Sequence, residues 1–235
     1  MKNTMRKTCV ISALFLTACA TQKQVVISDI EWQKATADVQ KKYAHQVEGS
    51  LSPYFLEAKL HYPPQKIALL TFKKEKMMEL WASEDAHSWQ HIRNYPLTAF
   101  SGSLGPKLKR NDGQIPEGVY KITHFNPFSS QHLSLMLNYP NQFDKTHAQR
   151  DGRSNLGDNI FIHGKEKSVG CLAVGDNAIN ELFVLVQQVG KDNTKIIIAP
   201  NDLRRHKASA LPSTSPAWLP NLYANISKQL QPFSL

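Results

Sequence analysis

The stretch NIFIHGKEKSVGCLAVGD, residues 159–176, decides how this chain is read. It begins as a short apolar strand, turns through a glycine-flanked loop and carries the only cysteine beyond the first twenty residues. His163 lies eight positions before Cys171. Three readings compete for this thiol: a buried apolar filler, a metal ligand, or a nucleophile with His163 as its base. The compartment bears on the choice, because an unpaired thiol is a liability where disulfides form.

The N-terminus speaks for export. Lys2, Arg6 and Lys7 precede the apolar run TCVISALFLTAC, which ends in small residues, the pattern of a secretory leader. The run is too short to span a bilayer, which takes about 20 residues. Its end, LTAC at 16–19, resembles the lipobox of bacterial lipoproteins. That resemblance implies a leader over 1–18, lipid on Cys19 and a membrane partner through that lipid. Several acyl chains on one residue anchor stably, whereas one binds marginally. Ala20, standing where aspartate would retain such a protein at the inner membrane, implies a periplasm-facing anchor in the outer membrane of a Gram-negative bacterium. Cys9 leaves with the leader, so Cys171 is the sole free thiol of the mature chain. Removal of the leader also takes the formal charge from +9 to +6. No element concentrates Lys and Arg into a stripe, which argues against nucleic acid and leaves anionic envelope polymers or peptide carboxylates as counterparts.

At 235 residues the chain suits one domain with appendages. Residues 19–62 read as a polar tether and an amphipathic helix outside the core, closed by HYPP at 61–64. Residues 63–200 are β-rich. KIALLTF, MMELWAS, WQHIRNYPLTAF, VYKITHF, HLSLMLNYP, NIFIHG and KIIIAP all read as strands. YPNQFDKTHAQRDGRSNLGDN reads as a long polar loop. A helix is expected after Cys171, with Asp176 as N-cap, Ile179, Leu182, Phe183 and Val186 on one face, and Gly190 as its stop. Residues 201–235 read as a peripheral tail with one short helix. The fold class is a β-rich α+β domain with mixed sheets.

A nucleophilic cysteine needs a base, a group that orients the base, and donors for the oxyanion. His163 ends a strand, and the loop KEKSVG can return Cys171 to it. Gly170 permits close approach, and its N–H with that of Cys171 could form an oxyanion hole. A thiol of ordinary pKa is only partly ionised at neutral pH, so pairing with His163 would raise its reactive fraction.

The pattern H-G-x3-S-x-G-C of HGKEKSVGC resembles the signature of the YkuD-type cysteine L,D-transpeptidases. GPKLKRNDGQIPEGVYKI, HLSLMLNYPNQFD and NIFIHG further resemble the YafK-like branch of that family, and the similarity covers about residues 65–200. The resemblance implies an L,D-transpeptidase fold and an enzyme without cofactors. Its partners would be peptidoglycan stem peptides, with a murein-linked lipoprotein as a further one. Cys171 would attack the carbonyl of the L-centre of meso-diaminopimelate to form a thioester, with His163 as base, the Gly164 carbonyl orienting the imidazole and Ser168 supporting the loop. Two departures stand out: Val169 replaces a common histidine, and Ala173 replaces a common arginine. The missing arginine brings hydrolysis of an amide at diaminopimelate close behind transpeptidation, and a non-catalytic murein-binding lipoprotein is the rival from another class. Arg150, Arg153 and Lys165 are the candidates for holding substrate carboxylates, since a guanidinium fork suits them; each also reads as a solvated loop charge.

Other signals fail. His87 and His91 in HSWQH lack the glutamate of H-E-x-x-H, and GSLGPK has Pro106 where a phosphate loop needs glycine. A zinc site built on His163, Cys171 and Asp176 lacks further ligands at suitable spacing. Trp81, Trp89 and Trp218 read as core or rim packing, with glycan stacking as the alternative, and His132 as either a cleft or a sheet-edge residue.

Overall fold

The computed structural model describes residues 27–208 and 213–234. The expected leader, the lipobox-like stretch and Cys19 lie outside these residues. The chain is built on one eight-stranded mixed sheet whose strands are β1 (Lys66–Phe72), β2 (Met77–Ser83), β3 (Gln90–Pro96), β4 (Gly118–Asn126), β5 (Ser134–Leu137), β6 (Phe161–His163), β7 (Leu172–Ala173) and β8 (Thr194–Ala199). Their order is β3-β2-β1-β8-β4-β5-β6-β7. β1 pairs with β8, and β6 with β7, in parallel; the other neighbours are antiparallel. β1 and β8 are buried almost throughout, as their uninterrupted apolar runs predict for central strands.

Helices α1 (Asp29–Glu57) and α3 (Asp176–Val189) cover one face, and α4 (Leu219–Leu230) covers part of the other. The expected helix after Cys171 is α3, with Gly190 at its C-cap in a left-handed conformation, φ 92°. Its N-cap is Gly175 rather than Asp176, because the Asp176 carboxylate is drawn back to accept the Lys165 N–H at 2.8 Å.

Three expectations are corrected. α1 is not external: Val47, Leu51 and Phe55, spaced one helical turn apart, are buried in the main core. The buried Glu181 of α3 binds it to its surroundings by accepting from Ser50 at 2.9 Å, Tyr95 Oη at 2.8 Å and Arg93 Nη1 at 3.0 Å. The C-terminal segment is not peripheral either. Leu219, Leu222, Ile226, Leu230 and Phe233 pack on Ala68, Leu70, Ile197 and Trp81, forming a second core that the sheet needs to bury its other face. Finally, part of the long polar loop is a helix, α2 (Gln142–Arg150). It starts with a reciprocal capping box in which Asn141 accepts from Asp144 N–H at 3.0 Å and Asp144 accepts from Asn141 N–H at 2.9 Å.

A buried ion pair ties the loop between β3 and β4 to the sheet. Lys73 Nζ donates to Glu117 Oε1 at 2.9 Å, Gly105 O at 2.7 Å and Ile115 O at 2.9 Å, which uses all three ammonium hydrogens. Both side chains are fully buried. Glu117 also accepts from Gly105 N–H and from Tyr223 Oη of α4, each at 2.8 Å. Burial pushes the Lys73 ammonium below its ordinary pKa, and Glu117 opposes that shift. Removing one partner strands the other. Glu117→Gln is therefore expected to destabilise by about 3–5 kcal/mol, lowering Tm by roughly 10 °C. An unchanged melting curve would show that the pair does not hold the loop.

Candidate active site

The parallel register Ile162↔Leu172 and His163↔Ala173 places Cys171 level with Phe161. Side chains two residues apart share a face, so Cys171 and His163 lie on the same face of the β6–β7 pair. Both line a cleft of about 560 Å³ with Asn126, Phe128, Gln131, Ser134 and Lys167. Val169, 81% exposed, and Phe128, 48% exposed, form an apolar rim.

His163 is buried, and its Nδ1 lies 2.6 Å from the Gly164 carbonyl. A carbonyl oxygen can only accept, so Nδ1 carries the proton and Nε2 is left as the basic atom. Burial lowers the imidazole pKa below its ordinary value; the Gly164 hydrogen bond works against that. Gly164 is also required by space: a Cβ there would meet Asp176 Oδ1 at 2.5 Å and Gln131 O at 2.9 Å.

Cys171 is half-buried and is the free cysteine of the described residues. Burial raises its pKa, while a backbone hydrogen bond from Phe161 and the charge of Lys107 act the other way. The thiol points its proton toward Asn159 O at 3.7 Å. Opposite shifts of the two groups favour a neutral thiol beside a neutral imidazole over a preformed ion pair.

The Cys171 loop is clamped from within. Ser168 Oγ accepts the Cys171 N–H at 3.0 Å and donates to the Cys171 carbonyl at 2.7 Å. Ser101 Oγ accepts the Gly170 N–H at 2.6 Å and donates to Gly113 O at 2.9 Å. The two N–H groups expected to form an oxyanion hole are thus occupied by hydroxyls in this structure. Ser168 lines the cleft, but its hydroxyl is spent on the loop backbone rather than turned to a ligand. Gly170 has φ 86°, and a Cβ would sit 3.2 Å from Gln114 O. The close approach that demands glycine is by the protein's own segment.

The expected carboxylate-binding cations are placed elsewhere. Arg153 is spent on Asp151 at 2.7 Å and on the Leu108 carbonyl at 2.8 Å. Arg150 is exposed on the last turn of α2, outside the cleft lining. Lys165, turned aside by a left-handed φ of 56°, donates to Ser130 O and lines a separate hollow beside Asp176. The cation that does line the cleft is Lys167, which sequence reasoning passed over because nothing in KEK distinguishes its two lysines. Ser101 was missed too, lying 69 residues from its partner Gly170. His132 takes a structural place, with Nε2 2.8 Å from Asn180 Oδ1. Among the described residues, no three His, Cys, Asp or Glu side chains are grouped as metal ligands.

Ala173 is fully buried. Residues 98–99 run along the outer edge of β7: Ala99 forms an antiparallel bridge with Ala173, and Thr98 N–H donates to the Ala173 carbonyl at 2.9 Å. The methyl group at this position carries no charge and no hydrogen-bond donor for a ligand.

A model of the YkuD L,D-transpeptidase catalytic domain matches residues 69–198. YafK of Escherichia coli is 27% identical over 215 residues, which cover 87% of this chain and 77% of YafK. Among solved structures, the helical cell shape determining protein Pgp2 from Campylobacter jejuni aligns with a TM-score of 0.47 at 21% identity, covering 62% of this chain and 50% of Pgp2. Bd1075 of Bdellovibrio bacteriovorus aligns with a TM-score of 0.42 at 20% identity, covering 72% of this chain and 55% of Bd1075. This chain spans about half the length of those two structures. The matched domain takes in more than half of the chain, from the central strand β1 through the His163–Cys171 loop to β8, and the protein belongs to the YkuD L,D-transpeptidase family.

Proposed function

We propose that this protein is a cysteine acyl-transfer enzyme acting on diaminopimelate-containing stem peptides of peptidoglycan. The observation that carries the proposal is the shared face of Cys171 and His163, with the imidazole held by Gly164 so that Nε2 is free to take a proton. Export, as the leader reading implies, would bring the site to that substrate.

In the first step the thiol proton passes to His163 Nε2 as Sγ bonds to the peptide carbonyl carbon. The imidazolium then returns the proton to the leaving amine nitrogen, and a thioester remains on Cys171. In the second step an amine or water gives a proton to Nε2 and attacks the thioester carbonyl, and Sγ leaves with that proton. The oxyanion is a stronger acceptor than a hydroxyl, so its arrival favours transfer of the Gly170 and Cys171 N–H groups from Ser101 and Ser168 to the substrate. Lys167 supplies charge for a substrate carboxylate.

A second reading, the hydrolytic amidase that cleaves a protein–diaminopimelate or stem-peptide bond, is favoured by the buried Ala173. No guanidinium stands at that position to hold an acceptor strand, which leaves water as the simpler resolving nucleophile.

Muropeptides incubated with the purified protein and read by mass spectrometry test the chemistry. New diaminopimelate–diaminopimelate links or D-amino-acid exchange mark transfer, and loss of an amide link without exchange marks hydrolysis. Cys171→Ala is expected to abolish either product; retention of a full envelope effect by that variant would point to a murein-binding role.

The pH profile has a definite sign. Protonated His163 cannot accept the thiol proton, so kcat/KM is expected to fall with acid on a limb centred below about pH 6.5, the ordinary histidine value. Above that limb the rate should hold steady through neutrality, because the buried thiol keeps its proton for the base to take. An acidic limb above pH 7 would contradict the neutral-pair resting state.

Lys167→Ala is expected to lower kcat/KM roughly tenfold, the loss of one charge-assisted hydrogen bond. Arg150→Ala and Arg153→Ala should leave it unchanged. The reverse pattern would return the carboxylate site to the arginines.

A further inference from the structure

A second pocket, of about 320 Å³, lies where the beginnings of β1 and β8 meet β4 and the end of α4. Its size falls within the range of small-ligand sites, and it shares no lining residue with the Cys171 cleft. Three lysines line it with a single carboxylate, Asp192, so positive charge is in excess. Lys121 of β4 stands directly opposite Lys195 of β8 in the antiparallel register, and Lys66 of β1 is two residues from Ala68, the parallel partner of Lys195. All three therefore fall on one face of the sheet.

Like charges directly opposed across a ladder destabilise it. Here no carboxylate forms an ion pair with any of the three among the described residues; Lys195 Nζ has only the neutral Gln229 Oε1 at 3.2 Å. Burial and the charge of Lys66 together lower the Lys195 pKa. The lining is also aromatic, with Trp89 and Phe233 in contact at a ring-centroid distance of 4.9 Å. Asn138, whose Oδ1 accepts from Lys121 N–H at 2.9 Å, adds a polar amide to the lining. A sheet ordinarily separates or pairs such charges. Their grouping in a partly aromatic lining fits a ligand with an anionic group on a ring-shaped body.

We propose that this pocket binds the carboxylate or phosphate of a sugar-sized ligand, with the anion among Lys66, Lys121 and Lys195 and the ring against Trp89. The site is independent of the chemistry at Cys171.

Calorimetric titration of the full chain with N-acetylmuramic acid, inorganic phosphate and the neutral N-acetylglucosamine tests this. The acid sugar and phosphate are expected to bind saturably and compete with one another, and the neutral sugar to bind at least tenfold more weakly. A K66Q/K121Q/K195Q variant should lose at least tenfold in affinity for both anions, while Lys167→Ala binds them as the parent does. The ligand-free triple variant should also melt at a higher temperature, since repulsion is removed. Three results would overturn the proposal: no saturable binding of either anion, equal binding of the neutral sugar, or loss in Lys167→Ala with retention in the triple variant. Phosphate binding without any by N-acetylmuramic acid would overturn its sugar part.

Discussion

The Lys73–Glu117 pair is the constraint on which the arrangement of the site rests. Two opposite charges with no exposure to water are tolerable only when their remaining hydrogen-bond capacity is met. Here it is met by the backbone of the 105–117 segment and by Tyr223. The pair therefore fixes a loop that has no regular structure of its own. That loop passes over Gly170 at Gln114 and reaches it through Ser101 and Gly113. A second ion pair, Lys107 with Asp112, folds the loop on itself, and the Asp112 carboxylate also accepts from the N–H groups of Leu108, Lys109 and Gln114. These bonds hold the Asp112 pKa below its ordinary value in spite of its partial burial. The backbone around Cys171 is thus shaped by buried charges on the neighbouring loop, one of which, Lys107, also acts on the thiol.

The same logic governs the chemistry. A histidine held by a carbonyl rather than a carboxylate lacks an ion-pair partner at Nδ1 to stabilise its imidazolium, and burial adds to that disadvantage. Burial likewise disfavours the thiolate. The two groups rest as an uncharged pair, and in the proposed reaction charge would develop only as a bond to the substrate forms. Internal hydroxyls satisfy the two nearby N–H donors, so neither is left unpaired.

Much of the architecture was legible in local pattern. Apolar runs bounded by turn residues marked the strands, since a buried strand needs side chains of one kind over four to eight residues. Gly190 marked the end of α3 because only a residue without a Cβ takes its backbone angle cheaply. Elements stabilised by something other than a continuous apolar face were misread. α2 buries only Ala148 and owes its start to a polar capping box, Asn141 with Asp144, a signal that is weak amid a polar segment. In α1 the apolar seam of Val47, Leu51 and Phe55 is diluted by charges along 29 residues. The packing side chains of α4 follow helical spacing, but the prolines before them gave the segment the look of a tail.

The sequence by itself determined the pair proposed to react. His163 ends β6 with Gly164 after it, and Cys171 immediately precedes β7, so their relation follows from two short paired strands and the loop that joins them. Only the tertiary structure decided what surrounds them. Lys165 and Lys167 are equivalent in sequence, and a single left-handed residue sends one out of the cleft. Ser101 and Gln114 meet Gly170 across 69 and 56 residues of chain, through hydrogen bonds and contacts between irregular loops. Such contacts leave no periodicity and no composition bias, because each depends on one side chain meeting one backbone group after the sheet has closed.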